Sequence, residues 1–314
     1  MQQRYRVLDL FLAMAMLLTS APLTAAQETS APAGVPVHMV VTVEARHGSN
    51  VPDVSREDVM VYQGRDRRKT TDWAPLQGDR ASLELFVLID DAADSSLGSQ
   101  LEDIRGFILA QPAATKIGVA YMQNGAAQIL QNPTQDHALA SKALRLPLGK
   151  LAAGTSPYFA IVDLMKRWPE ANERREALII SDGIDRYWGS GPGDTYVDSA
   201  IERAQRAGVV VFAIYSPGEG HYGHSFWRLN WGQNYLSQLA DETGGEAYYL
   251  GNSAPVSFAP YLDDLTHRLI HQYELTFLAT PKKKAGMQQV KLQTEVPNAD
   301  LVSADRVFVP ATPQ

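Results

Sequence analysis

The sequence predicts an α/β protein: a doubly wound, mostly parallel sheet of six strands flanked by helices, joined to a small β-rich unit drawn from both ends of the chain. Three observations lead there. Leu83 to Ile89 is apolar except for Glu84 and stops abruptly at Asp90-Asp91, the mark of a strand buried on both faces inside a parallel sheet. Further apolar runs follow at Lys116–Met122, Ala127–Leu130, Ala177–Ser181, Val209–Tyr215 and Glu246–Leu250, with helical spacing in most of the intervals. Strands alternating with helices specify a parallel sheet with right-handed crossovers. Outside residues 81–272 the helical spacing is lost and short β runs replace it.

Taken in order, the chain opens with Arg4 and Arg6, an apolar run from Leu10 to Leu18, and the small residues Thr24-Ala25-Ala26. That order predicts a signal peptide over 1–26 and an exported protein, periplasmic or secreted. The apolar run is shorter than the roughly 18 residues of a spanning helix, so no transmembrane segment is expected after cleavage. Residues 27–35 read as a polar, disordered leader. Segment 36–80 reads as β: His38–Ala45, Val59–Tyr62 and a strand around Trp73, with turns at Arg46–Asn50 and Gln63-Gly64.

Within 81–272, Leu97, Leu101, Ile104 and Ile108 carry helical spacing, with Ser95 or Ser96 placed to cap the first turn. Asn124-Gly125 joins its two flanking strands too tightly for a crossover, which implies an antiparallel edge pair. Ser156 and Pro157 open a helix as N-cap and first residue, and Trp168-Pro169 closes it. The next helix carries Val197, Ile201 and Ala204 and is stopped by Gly208. Tyr235, Leu236 and Leu239 mark another that ends at Gly244-Gly245, and Phe258, Leu262, Leu265, Leu269 and Ile270 stripe the last. In 273–314, Tyr273–Phe277, Val290–Thr294 and Val307–Val309 alternate again as β. These strands are expected to pack with 36–80, which alone is too short for a comfortable core.

Composition narrows the function. With 314 residues, 45% hydrophobic and 20% charged, the chain can bury a full core. A formal net charge of -7 argues against nucleic acid or an anionic membrane as partner. There is no cysteine, which excludes disulfides, thiolate metal sites, a thiol nucleophile and a lipid-attachment cysteine. The Gly-x-Ser-x-Gly elbow, His-Glu-x-x-His and the phosphate loop Gly-x-x-x-x-Gly-Lys are all missing, so no enzyme is expected. Asp90 and Asp91 are adjacent on an extended chain and point opposite ways, a poor arrangement for paired acid–base work.

Three polar groups fall at one end of the sheet: Asp90 after the first strand, Gly154-Thr155 before a helix, and Asp182-Gly183 after the fourth strand. In this the chain resembles the von Willebrand factor type A family over about residues 80–272. The flanking segments VSREDVMVYQG and QYELTF resemble those of bacterial secreted relatives of that family. The family carries an Asp-x-Ser-x-Ser loop, a later Thr and an Asp-Gly, which together hold a divalent cation at an adhesion site. The resemblance therefore implies Mg²⁺, or Ca²⁺ or Mn²⁺, on Asp90, Asp94, Ser95, Thr155 and Asp182. Oxygen donors of this kind suit hard ions. Counted from Asp90, the serine positions fall on Ala92 and Asp94; counted from Asp91, they fall on Ala93 and Ser95. In either register the first hydroxyl is replaced by alanine. Individually these residues also read as strand terminators, a loop filler and a turn pair.

Aromatic residues crowd the same end. Tyr187 and Trp188 follow the fourth strand, and the stretch HYGHSFWRLNWG after the fifth holds Tyr222, Phe226, Trp227 and Trp231. Such residues on loops beside a site suit a protein-binding surface, although they also close satellite cores under long loops. The expectation is an exported, non-enzymatic binding module that holds an unidentified protein partner at the carboxyl edge of its sheet. The alternative is an envelope scaffold with a defunct ion site, and less favoured is a hydrolase of unknown class.

Overall fold

The computed structural model describes residues 34–149, 156–168, 173–188, 193–218, 226–251, 253 and 255–311. The signal-peptide reading, most of the leader, Thr155 and Tyr222 lie outside the described residues. The leader ends earlier than expected, because Val35 already belongs to a strand and pairs with Ala279.

The first strand, β1 (Val35–Ala45), leads to β2 (Met60–Gln63), β3 (Asp66–Arg68) and β4 (Thr70–Pro75). The central sheet begins with β5 (Leu83–Asp90) and continues through α1 (Leu101–Ala110), β6 (Thr115–Gln123) and β7 (Ala126–Thr134). Two helices follow, α2 (His137–Lys142) and α3 (Pro157–Arg167), then β8 (Arg174–Ser181), α4 (Thr195–Ala207) and β9 (Val209–Tyr215). The unit closes with α5 (Phe226–Thr243), β10 (Ala247–Tyr248) and α6 (Ala259–Ile270). Four strands remain: β11 (Gln272–Ala279), β12 (Gly286–Gln293), β13 (Ala299–Ser303) and β14 (Arg306–Val309).

The six-stranded sheet runs β10-β9-β8-β5-β6-β7. All neighbours are parallel except β7, which pairs antiparallel with β6. Renumbered within the sheet this is the doubly wound order 3-2-1-4-5-6 read from the other edge, and its switch point lies between β5 and β8. The order in which strands are added reverses there, so the helices leave to opposite faces and open a crevice at the strands' carboxyl ends. Along β5, Leu83, Leu85, Val87 and Ile89 join a core with Ile104, Ile108, Leu262 and Leu265 of α1 and α6. Phe86 and Leu88 face the other way, toward Ile161 and Leu164 of α3 and Val197 and Ile201 of α4. Each fully buried aliphatic contributes roughly 1.5–3 kcal/mol, which is why an apolar run broken only by Glu84 marks this strand.

The remaining strands form two four-stranded sheets, β13-β1-β11-β4 and β14-β12-β2-β3. Val41, Val61, Leu275, Phe277, Val290 and Val309 share one core between them. Trp73 stacks on Tyr273 at 4.4 Å between ring centres, and its indole N–H donates to the Val54 carbonyl at 2.8 Å. Arg268 of α6 ties the layers together by pairing with Glu44 of β1, with Glu246 at 3.0 Å and with Asp264 at 2.7 Å. Gly34–Gln314 is one compact unit.

Several local expectations change. The cap ahead of α1 is Asp94, whose carboxylate accepts the Ser96 N–H at 2.7 Å at the head of a short 3-10 turn; neither Ser95 nor Ser96 takes that part. Ser156 does cap α3, accepting the Tyr158 N–H at 3.2 Å. The aromatic stretch after β9 is helical from Phe226, so Phe226, Trp227 and Trp231 lie on α5 instead of on a loop. Trp231 is partly buried against the core and stacks with Tyr235 at 6.3 Å, which removes it from an outward binding set.

Candidate functional site

The crevice at the switch point is built from the ends of β5 and β8. Asp90 closes β5 with its carboxylate buried: Oδ1 accepts the Ala92 N–H at 2.9 Å and Oδ2 accepts the Ser181 hydroxyl at 2.8 Å. Ser181 is itself held by the Gly183 N–H at 3.1 Å. Beyond β8, Asp182 accepts the Ile184 N–H at 2.9 Å. Four residues on, Arg186 turns back inward. Its Nη2 donates to Asp182 Oδ2 at 2.5 Å, and Nη1 donates to Asp182 Oδ1 and to the Ile184 carbonyl, each at 3.3 Å. The side chains of Arg186 and Asp182 are 7% and 1% exposed. A buried charge needs a partner, and here the chain supplies its own cation.

Charge around the crevice follows from this placement. Burial pushes the Asp90 carboxyl up to about 6, and Asp182 adds to the rise while Arg186, the Ala92 N–H and Ser181 oppose it. Burial works against the Arg186 charge, but Asp182, Asp90 and Asp185 outweigh it and raise its pKa. Asp185 is also buried, and its Oδ1 accepts the N–H groups of Tyr187 and Trp188, both at 2.8 Å. Its Oδ2 accepts the Ser156 hydroxyl at 2.6 Å. One turn therefore sends Arg186 into the crevice and Tyr187 and Trp188 out of it.

The crevice is roofed. Asp94 N–H donates to the Pro217 carbonyl at 2.9 Å, and Ala93 bridges Gly218. A methyl group built on Gly218 would lie 2.1 Å from Asp182 Oδ2 and 2.6 Å from Arg186 Nη2. Main chain thus presses directly on the ion pair. We expect Gly218→Ala to cost roughly 1–3 kcal/mol through overpacking, measured as a lower urea midpoint at unchanged slope.

Of the five residues expected to hold a metal, four are among the described residues, and those four are not gathered at one point. Asp90 and Asp182 come together, Asp94 spends one oxygen on a cap, Ser95 is exposed and Thr155 lies outside the described residues. Among the described residues no three His, Asp or Glu side chains are placed to hold an ion. Every carboxylate oxygen of Asp90 and Asp182 already accepts a hydrogen bond, and a guanidinium lies where a cation's charge would be needed. The donors present do not fit a divalent ion while Arg186 stays in place. Sequence reasoning missed Arg186 altogether. The signal available was its position, four residues after Asp182 in Asp-Gly-Ile-Asp-Arg.

Asp91 has a different employment. Its carboxylate takes both nitrogens of Arg145, at 2.6 and 2.8 Å, and the Leu148 N–H at 3.0 Å. Arg145 also lies 3.9 Å over the Tyr121 ring. This fastens residues 145–149 to the edge and leaves Leu146 and Leu148 exposed there. Tyr187, Trp188, Phe226 and Trp227 are exposed as well, Trp227 by 72%. Tyr187 packs edge-on against Phe159 and Tyr196, at 5.3 and 5.4 Å, and Trp188 against Tyr196 at 6.1 Å. Gly232 touches the Asp182 carbonyl region, so Phe226, six residues earlier on α5, projects about 9 Å further beyond the edge at 1.5 Å per residue.

No family model matches the chain, and no curated protein matches it in sequence. Solved structures are similar at a distance. An aerotolerance-related membrane protein from Bacteroides fragilis, carrying mutations to serine, is 15% identical with a TM-score of 0.45, over 60% of this chain and 98% of its own. The conserved hypothetical protein BatB from Bacteroides thetaiotaomicron is 17% identical with a TM-score of 0.43, over 60% and 97%. The ArnB paralog VWA2 from Sulfolobus acidocaldarius is 12% identical with a TM-score of 0.38, over 88% and 76%. None of the three reaches a TM-score of 0.5. Among the described residues no helix is long and apolar enough to cross a membrane.

Proposed function

We propose that residues 81–272 form a von Willebrand A–like binding module in an exported, non-enzymatic protein, and that it holds a protein partner at the carboxyl edge of its sheet. The observation that carries the reading is the apolar rim at that edge: Tyr187, Trp188, Phe226 and Trp227 with Leu146 and Leu148, all exposed beside a crevice at the switch point. Large apolar side chains left in water on elements fixed from beneath are the raw material of binding hot spots. Asp185 and Arg186 fix the turn bearing Tyr187 and Trp188, and Asp91 fixes the loop bearing the leucines. Enzymatic chemistry finds little support in the crevice, where the Ser181 hydroxyl is spent on Asp90 under a closed roof.

The test compares wild type, a Trp188→Ala/Trp227→Ala double variant and a Leu109→Ala control as immobilised baits for envelope proteins, with crosslinking to locate the contact. Leu109 is exposed near the far end of α1, away from the edge. A partner crosslinked at the rim should be retained by wild type and control, and lose at least about tenfold in affinity with the double variant. A partner held equally by all three proteins would favour the scaffold reading.

A further inference from the structure

We infer that Arg186 is a resident cation: its guanidinium does for Asp90 and Asp182 what a divalent ion would do, and a hard-metal site lies latent beneath it. The inference concerns the crevice alone and stands whether or not the rim binds a partner. It begins with the donors Arg186 covers. The guanidinium lies on both oxygens of Asp182 and on the Ile184 carbonyl, while Asp90 contributes through space and is tied to the Ser181 hydroxyl. Two carboxylates, a hydroxyl and a carbonyl are all oxygen donors, the set a hard cation prefers. Guanidinium meets them differently, with a planar fork of N–H donors that needs no dehydration of an ion.

Geometry also explains why metal and arginine exclude each other. Gly218 closes on Asp182 Oδ2 and Arg186 Nη2 together, so closely that even a methyl there would meet them at 2.1 and 2.6 Å, and an ion approaching from that side would meet main chain. Removal of the guanidinium opens the volume it fills and leaves two buried carboxylates without a counterion. Such a site is unfavourable when empty and attractive to a divalent cation. A metal occupies its site according to its concentration, whereas a side chain is always present. Because Tyr187 and Trp188 follow Arg186 on the same turn, the resident cation keeps that turn in one arrangement at any metal concentration.

Metal alone is the probe. Wild type, Arg186→Ala and Arg186→Lys, each stripped with chelator, are titrated with Mn²⁺ and Mg²⁺ by calorimetry and melted with and without them. Wild type and Arg186→Lys should give no heat and no change in Tm. Arg186→Ala should melt roughly 10 °C lower, bind one ion per chain, and recover at least half of its lost Tm in millimolar Mn²⁺. If Arg186→Ala does not fold, Arg186→Gln, which keeps the length and an amide but no charge, carries the same test. Three results would overturn the inference: a wild type whose Tm falls on chelation, a charge-free variant as stable as wild type, or a folded charge-free variant that takes up no ion.

Discussion

Gly183→Ala should destabilise the protein by roughly 3–5 kcal/mol, lowering Tm by roughly 10 °C. Two independent penalties meet at this residue. Its φ is +68°, a left-handed conformation that costs an L-residue about 1–2 kcal/mol. A methyl there would also lie 2.3 Å from the Gly232 carbonyl oxygen and 2.7 Å from Leu236 Cγ. The first obstacle is backbone within α5, so neither side can yield by rotating a bond. The contact is mutual, since a methyl on Gly232 would meet the Asp182 carbonyl at 2.2 Å. Any retreat would pull on Ser181 through the Gly183 N–H and on Tyr158, whose hydroxyl donates to the Gly183 carbonyl at 2.8 Å. Gly64→Ala separates the two penalties: its φ is +65° with open space around it, so it should cost only the backbone part, about 1–2 kcal/mol. Equal losses for the two variants would refute the packing argument.

The central sheet was legible because burial on both faces writes itself as an apolar run: Leu85–Ile89 in β5, Ala177–Ile180 in β8 and all of β9. The elements that escaped notice lack such writing. Asp66–Arg68 is three charged residues made into a strand by pairing with β2. Ala299–Ser303 pairs with β1 but buries only its first residue fully, and α2 is too short to establish a period. At α5 the misreading had a different cause. Aromatic residues and Gly232 mimic a loop, yet Leu229, Gly232, Gln233 and Leu236 form the buried stripe, with glycine chosen for close approach to Asp182.

The site was legible in its acids and not in its base. Asp90 and Asp182 were found because they end neighbouring strands, a fact of chain order. Arg186 sits in a polar turn, where an arginine ordinarily reads as solvated, and its inward course depends on Asp185 bending the backbone beneath Tyr187 and Trp188. The alanines at the expected hydroxyl positions were the other half of the message. Ala92 and Ala93 are buried under the roof, where a methyl packs against main chain and offers no oxygen to the crevice.

Stability should increase as pH falls from 7.5 to 5, against the usual trend for acid. Asp90 ionises at 3.8 in an unperturbed chain and at about 6 when folded, chiefly because it is buried and next because Asp182 is near. Between those values the folded chain binds more protons than the unfolded chain. Stability is therefore lost as pH rises through about 6 and regained as pH falls toward 3.8, a span worth about 3 kcal/mol. Asp194 is pushed the same way, also to about 6, by burial and by Asp185 with the Tyr196 N–H opposing. Burial sets the sign: it strips water from the Asp90 carboxylate, Asp182 adds to the cost, and Arg186 with the Ala92 N–H and Ser181 relieves only part of it. Asp90→Asn should consequently be more stable than wild type at pH 7.5, and its gain in stability from pH 7.5 to 5 should shrink by about half. Urea melts at the two pH values decide the matter. A wild type that weakens steadily from pH 7.5 to 5, or an Asp90→Asn variant that loses stability at pH 7.5, would mean that Arg186 neutralises the carboxylates fully and leaves Asp90 charged at no cost.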